Sequence, residues 1–198
     1  TNTHFSDDYL EIVPGRAGSY APVGNETDGI FRRQINQLTA LASSSLNTTV
    51  DDFILWMKNY KTSQVGGEEI IHRMLERGVL TSGDTIAYAH GLTTGEYRGL
   101  KHFGHGGSWA GFRTNFIRFP QEDLSIVVFC NFSTCDPAGR AIKVAEAFLE
   151  DQMGPAPVQS DGPDDATEPP NLSDSELRQY SGHYRSPELD STYEIFVE

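Results

Sequence analysis

Tyr97-Arg98-Gly99-Leu100-Lys101-His102-Phe103-Gly104-His105-Gly106-Gly107-Ser108-Trp109-Ala110-Gly111-Phe112 is the stretch that decides the fold of this chain. Arg98-Gly99 reads as a two-residue hairpin turn between strands Ile86 to Tyr97 and Leu100 to His105. Phe112 to Phe119 continues the pattern, Pro120-Gln121-Glu122-Asp123 turns the chain, and Leu124 to Asn131 follows. The spacing predicts three consecutive antiparallel strands over Lys101 to Asn131, joined by short turns, with His105 near an open end. Leu124-Ser125-Ile126-Val127-Val128-Phe129-Cys130 is nearly all apolar and reads as a central strand covered on both faces.

Helices flank this sheet. Val50 to Tyr60 places Phe53, Trp56, Met57 and Tyr60 on one stripe, with Thr48 or Thr49 as cap and Asp51 and Asp52 at the positive end. Gly67 to Arg77 fits a second helix, with Gly78 as terminator. Ala138 to Gln152 fits a third, capped by Asp136 with Pro137 in the first position. The pattern is α+β: an antiparallel sheet flanked by helices, followed by the start of a small β-rich domain. Residues 1–152 form the main unit and Thr1 to Leu46 within it reads as an irregular surface excursion. Residues 153–171 are rich in Pro and Asp and read as a linker. Residues 172–198 begin a β domain, with a Ser173/Glu176 capping box and a strand from Thr192 to Val197.

Composition narrows the function classes. The formal net charge of -13 argues against nucleic acid as a partner. No apolar run is long enough to span a membrane as a helix. Two cysteines are too few for a disulfide scaffold or zinc site; Cys130 reads as a buried thiol, and a bridge to Cys135 stays open. His102 and His105 lie three positions apart on a strand, hence on opposite faces, so they do not form a metal pair. No metal and no cofactor is expected.

The chemistry concentrates at His105-Gly106-Gly107-Ser108. Glycines at a strand end let another backbone or a ligand approach closely, and histidine moves protons near neutral pH. On the residues alone, an active site and a tight glycine-rich hairpin with an incidental histidine both fit.

His105-Gly106-Gly107, then Gly111-Phe112, Phe119-Pro120 and the run to Asn131 resemble the third motif of the β-lactamase-related serine hydrolases. That superfamily holds class C β-lactamases, D-Ala-D-Ala carboxypeptidases, D-aminopeptidases and esterases. Thr3-His4-Phe5 with Arg16-Ala17 and Tyr20, the helix from Thr49-Val50-Asp51-Asp52-Phe53 to Trp56, and Glu176-Leu177-Tyr180-Gly182-Tyr184 are similar to further segments of such proteins. The resemblance implies the C-terminal part of the β-lactamase/transpeptidase-like fold. It also implies acyl transfer from a serine, a small peptide, amide or ester substrate, and a periplasmic or secreted location.

Three elements serve that chemistry in the family: Ser-x-x-Lys, Tyr-x-Asn or a relative of it, and a Lys/His-x-Gly strand. No serine here has a lysine three positions on, and no tyrosine has an asparagine two positions on. Tyr88-Ala89-His90 falls in the wrong part of the order. In the family both missing elements precede the position of Thr1, so the expectation is a truncated enzyme, inactive as this chain alone. The alternative is a binding or structural module that kept the fold and lost the chemistry.

The third element implies four site residues. His105 would line the pocket opposite the serine and hydrogen-bond a substrate carboxylate or a catalytic hydroxyl. The Ser108 N–H would be one oxyanion-hole donor. Gly106 and Gly107 would let substrate lie along the strand edge. Where β-lactamases carry Lys-Thr-Gly, His105 replaces a fixed charge with an imidazole, which when unperturbed is mostly neutral at pH 7, and Gly106 removes a hydroxyl. This favours a D-aminopeptidase, carboxypeptidase or esterase over a β-lactamase. In the family the N-terminal strands lie beside the equivalent of Leu124 to Asn131, so without them that edge would be exposed and open to self-association.

Overall fold

A computed structural model describes residues 2–37, 40–41, 44–156, 172–186 and 191–197. They fall into two compact units, Thr1–Ala156 and Pro157–Glu198. Most of the expected linker lies outside the described residues.

In the first unit, β5 (Thr93–Tyr97), β6 (Leu100–Trp109), β7 (Phe112–Phe119) and β8 (Leu124–Cys130) form an antiparallel sheet in sequence order. Two-residue loops set the β5–β6 and β6–β7 registers, and the four residues 120–123 turn β7 into β8. Arg98 and Gly99 both take positive φ, 48° and 84°, which suits a hairpin with right-twisted strands. Tyr97 consequently faces Leu100, and Trp109 faces Phe112 across Ala110-Gly111. β5 is shorter than the strand expected from Ile86. Gly91, at φ 78°, turns the chain, and the Ala89 N–H donates to the Leu92 carbonyl, so Ile86 to Gly91 leaves the ladder.

Alternation along these strands creates two apolar faces. On one, Ile117, Phe119 and Ile126 pack against Ala141, Ala145 and Leu149 of α3 (Pro137–Leu149). Asp136 caps α3 by accepting from the Gly139 N–H at 2.9 Å, and Pro137 occupies its first turn. On the other face lies α1 (Val50–Thr62), whose Phe53 ring meets Phe116 and Phe129 and whose Tyr60 meets Phe103. Thr49 caps α1 through the Asp52 N–H at 3.2 Å. β8 is therefore apolar because helices cover both its faces, yet it stands at the sheet edge and not at its centre. Just past its end, the Tyr20 N–H donates to the Asn131 carbonyl and the Ser133 N–H to the Tyr20 carbonyl.

α2 (Gly67–Met74) stops three residues before the expected Arg77. Its last turn tightens, Leu75 N–H bonding the His72 carbonyl and Glu76 N–H that of Arg73. Gly78 is not its terminator; the Gly78 N–H bonds the Tyr88 carbonyl instead. The N-terminal segment is also more ordered than its composition suggests. β1 (His4–Phe5) pairs with β4 (Leu46–Asn47), and β2 (Ser19–Pro22) with β3 (Phe31–Gln34). Cys130 is not a free thiol: it is bonded to Cys135, linking the end of β8 to the approach to α3.

Arg98 ties the β5–β6 turn to the end of α3. Its guanidinium grips both carboxylate oxygens of Glu150 at 2.8 and 2.9 Å, and its Nε donates to the Gly154 carbonyl at 2.7 Å. Lys61 and Arg118 both pair with Asp123, joining the end of α1 to the β7–β8 turn and holding the Asp123 carboxyl below its ordinary range. The second unit holds α4 (Asp174–Leu177), with the Ser173/Glu176 capping box, and the antiparallel pair β9 (Gly182–Ser186) and β10 (Ser191–Ile195). No helix among the described residues is long and apolar enough to cross a membrane.

Gly111 is required for close approach: a Cβ there would lie 2.6 Å from both the backbone N and O of Tyr20. Gly111→Ala is expected to push β2 off the β6–β7 turn. Hydrogen exchange should then show the Tyr20 amide losing protection while amides within β6, β7 and β8 keep theirs.

His102 faces α3 beside Phe119, and burial pushes its imidazole below the ordinary 6.5. The unfolded chain therefore takes up this proton first as pH falls. Stability is full above 6.5 and declines from there down to the lowered folded value. Urea unfolding of His102→Leu from about pH 7 to about pH 5 should show a flatter decline than the parent chain.

Candidate active site

The site is built from the half of β6 that β5 leaves unpaired. β5 pairing stops at Thr93 opposite Gly104, whereas β7 pairs with β6 out to Trp109. In an antiparallel ladder successive residues turn their N–H and C=O to alternate sides. The pairs flanking a two-residue loop bond each other, so Trp109, Gly107 and His105 direct these groups toward β7. Gly106 and Ser108 turn theirs to the open side. Among the described residues, the strand thus presents the Gly106 and Ser108 N–H groups and the Ser108 carbonyl along an open edge, the Gly106 carbonyl being held by His105 Nδ1.

Side chains alternate independently. His105 lies opposite Phe116, on the face covered by α1, while Ser108 lies opposite Arg113, on the face of α3. His102 and His105 are on opposite faces, and among the described residues no cluster of His, Cys, Asp or Glu could hold a metal. Gly107 cannot accept a side chain without displacing Thr114 Oγ1. The floor between His105 and Trp109 is therefore flat.

A groove of about 1290 Å³ lies over the α1 side of the sheet, lined by Gly107, Ser108 and Trp109 of β6, Thr114 of β7 and Phe129 of β8 together with Phe53 among others. Among the described residues, none that lines it is Asp or Glu, in a chain carrying 28 of them. Trp109 is fixed at its wall by Nε1–H donating to Asn36 Oδ1 at 2.6 Å. The groove takes in Gly107 and Ser108 and leaves His105 and Gly106 outside its lining. His105 is exposed, next along the strand, and its partners are Tyr88 and Gly106. Nε2 lies 2.9 Å from Tyr88 Oη, Nδ1 2.6 Å from the Gly106 carbonyl, and the two rings meet edge to face at 5.7 Å.

Tyr88 is the residue that sequence reasoning passed over. Its tripeptide matched no expected motif and its backbone lies outside the sheet, joined only by an isolated bridge to Thr93. A hint lay in the return of the chain at Gly91, which brings the segment before β5 back over β6. The arrangement offers two backbone N–H groups along the strand edge, with an imidazole–phenol pair at one end. The described serines nearest the edge have no base arranged on them.

Comparison with known proteins bears on the family and the fold. Residues 1–148 match the family model described as Beta-lactamase. The chain is 26% identical over 141 residues to a D-aminopeptidase of Brucella ovis, covering 70% of this chain and 27% of that protein. It is 25% identical over 118 residues to a D-aminopeptidase of Gluconobacter oxydans, covering 60% and 22%. The fold superposes on a penicillin binding protein from Bacillus halodurans with a TM-score of 0.56 at 17% identity, over 74% of this chain and 44% of that one. The chain thus spans about a quarter of the length of the D-aminopeptidases it matches. With the match running over three quarters of its residues, the chain belongs to the beta-lactamase family.

Proposed function

We propose that this chain supplies the substrate-facing strand of a serine hydrolase acting by acyl transfer on a peptide, amide or ester. The observation that carries this reading is the open edge of β6 at Gly106 and Ser108, next to an imidazole. In the proposed reaction a serine oxygen, borne by a part of the protein other than these residues, adds to the substrate carbonyl carbon. The Ser108 N–H and the N–H of the nucleophile stabilise the oxyanion. The amine or alcohol leaves with a proton, and water releases the acyl group. The relatives named D-aminopeptidase support a peptide or amide substrate over a β-lactam, as does the histidine at position 105.

His105 lines the site and the Ser108 amide stabilises, but neither is an activated hydroxyl. Intact-mass analysis after incubation with a fluorophosphonate, and separately with a penicillin, is expected to show no adduct on the 198-residue chain. The full-length polypeptide should label stoichiometrically at a Ser-x-x-Lys serine. In it, His105→Ala should slow acylation on the order of a hundredfold without abolishing it. An adduct at Ser108 or any other serine of this chain would overturn the reading. A full-length polypeptide that labels nowhere would make the chain a binding module.

A further inference from the structure

We propose that Tyr88 is a positioning residue for His105: it occupies Nε2, so that at neutral pH the histidine offers substrate no N–H, and the site takes acyl groups uncharged where they meet it. This rests on the reading of the β6 edge as the acyl-binding strand. A carbonyl oxygen only accepts, so the contact between Nδ1 and the Gly106 carbonyl at 2.6 Å places the proton on Nδ1. In the neutral ring Nε2 is then bare, and at 2.9 Å it accepts the Tyr88 hydroxyl proton. Both ring nitrogens are engaged within the protein.

The backbone holds Tyr88 in place for this. Its carbonyl accepts the Gly78 N–H at 2.8 Å, the Ile86 N–H returns to the Gly78 carbonyl at 2.9 Å, and Thr93 bridges it on the far side. The hydroxyl is thus delivered from a braced backbone. A cationic side chain here would greet a carboxylate with a charged donor. His105 does so only after gaining a proton, when Nε2–H becomes a donor that Tyr88 Oη and substrate compete for. Anion recognition at this point is coupled to protonation, and uncharged esters and amides escape that requirement.

The pairing is tested on the full 198-residue chain by histidine-labelled ¹⁵N NMR, with His105→Gln identifying the signals. The expected result at neutral pH is a protonated Nδ1 and an Nε2 shifted as a hydrogen-bond acceptor. In Tyr88→Phe, Nε2 should move to the free-imine position, and the Nδ1 proton should exchange faster. A dominant Nε2–H tautomer, or an Nε2 signal indifferent to Tyr88→Phe, would overturn the pairing.

Specificity is tested on the full-length enzyme with a neutral p-nitrophenyl ester and the same ester carrying a terminal carboxylate. The neutral ester should lead by about tenfold or more in kcat/KM at neutral pH, the gap narrowing on acidification. In Tyr88→Phe Nε2 still carries no N–H at neutral pH, so the gap should persist there and narrow more steeply than in the parent on acidification, once Tyr88 Oη no longer competes for Nε2–H. A parent enzyme that prefers the carboxylate overturns the substrate assignment. Should His105→Ala leave both esters unaffected, the acyl-site reading itself fails, while the NMR result still decides the pairing.

Discussion

Ala141 and Ala145 are fully buried, and their small size lets α3 lie against β7 and β8. Larger side chains at these two positions would lift the helix from the sheet, leaving Phe119, itself fully buried, with a void on one side. The rest of the larger unit follows from that contact. With α3 seated, its end falls where Arg98 can reach Glu150 and Gly154, and the β5–β6 turn is locked to it. Packing of apolar surface makes this layer; the Arg98 clamp orients it, since paired charges stabilise little by themselves. The open half of β6 is thus held by a sheet anchored at both ends.

Two layers of information in the sequence had different fates. Hairpin and helix signals act over a few residues and translate directly: Arg98-Gly99 at its loop, Thr49 and Asp136 at their caps, Ser173 with Glu176 at theirs. Features depending on partners far along the chain were not legible. β2 owes its pairing to Arg32 and Arg33 on one side and its seat to Gly111 and Asn131 on another, none of which marks Ser19 to Pro22 as a strand. Composition also misplaced β8. An apolar run signals burial of both faces, which α1 and α3 provide, and says nothing about whether the hydrogen-bonding edges are occupied.

The site shows the same division. His105, Gly106, Gly107 and Ser108 stand out because glycines crowd a histidine at a strand end, a pattern visible in a line of letters. Tyr88 stands out only in three dimensions, since it reaches His105 across a loop whose course Gly91 decides. The Cys130–Cys135 link was equally hidden, because a spacing of five residues fits a bridge and two free thiols alike.

The sequential order of β5, β6, β7 and β8 has a kinetic consequence. Each strand pairs with its immediate neighbour through a short loop, and α3 follows at once, so the chain closes no long loop to form its main core. Contacts of low sequence separation form fast. The Tyr20 to Asn131 bonds join residues more than a hundred positions apart, and their closure entropy is recovered only once β8 exists as a template. Assembly therefore runs outward from the meander, with the N-terminal strands docking last. The strand that carries His105 takes shape in the first, local stage.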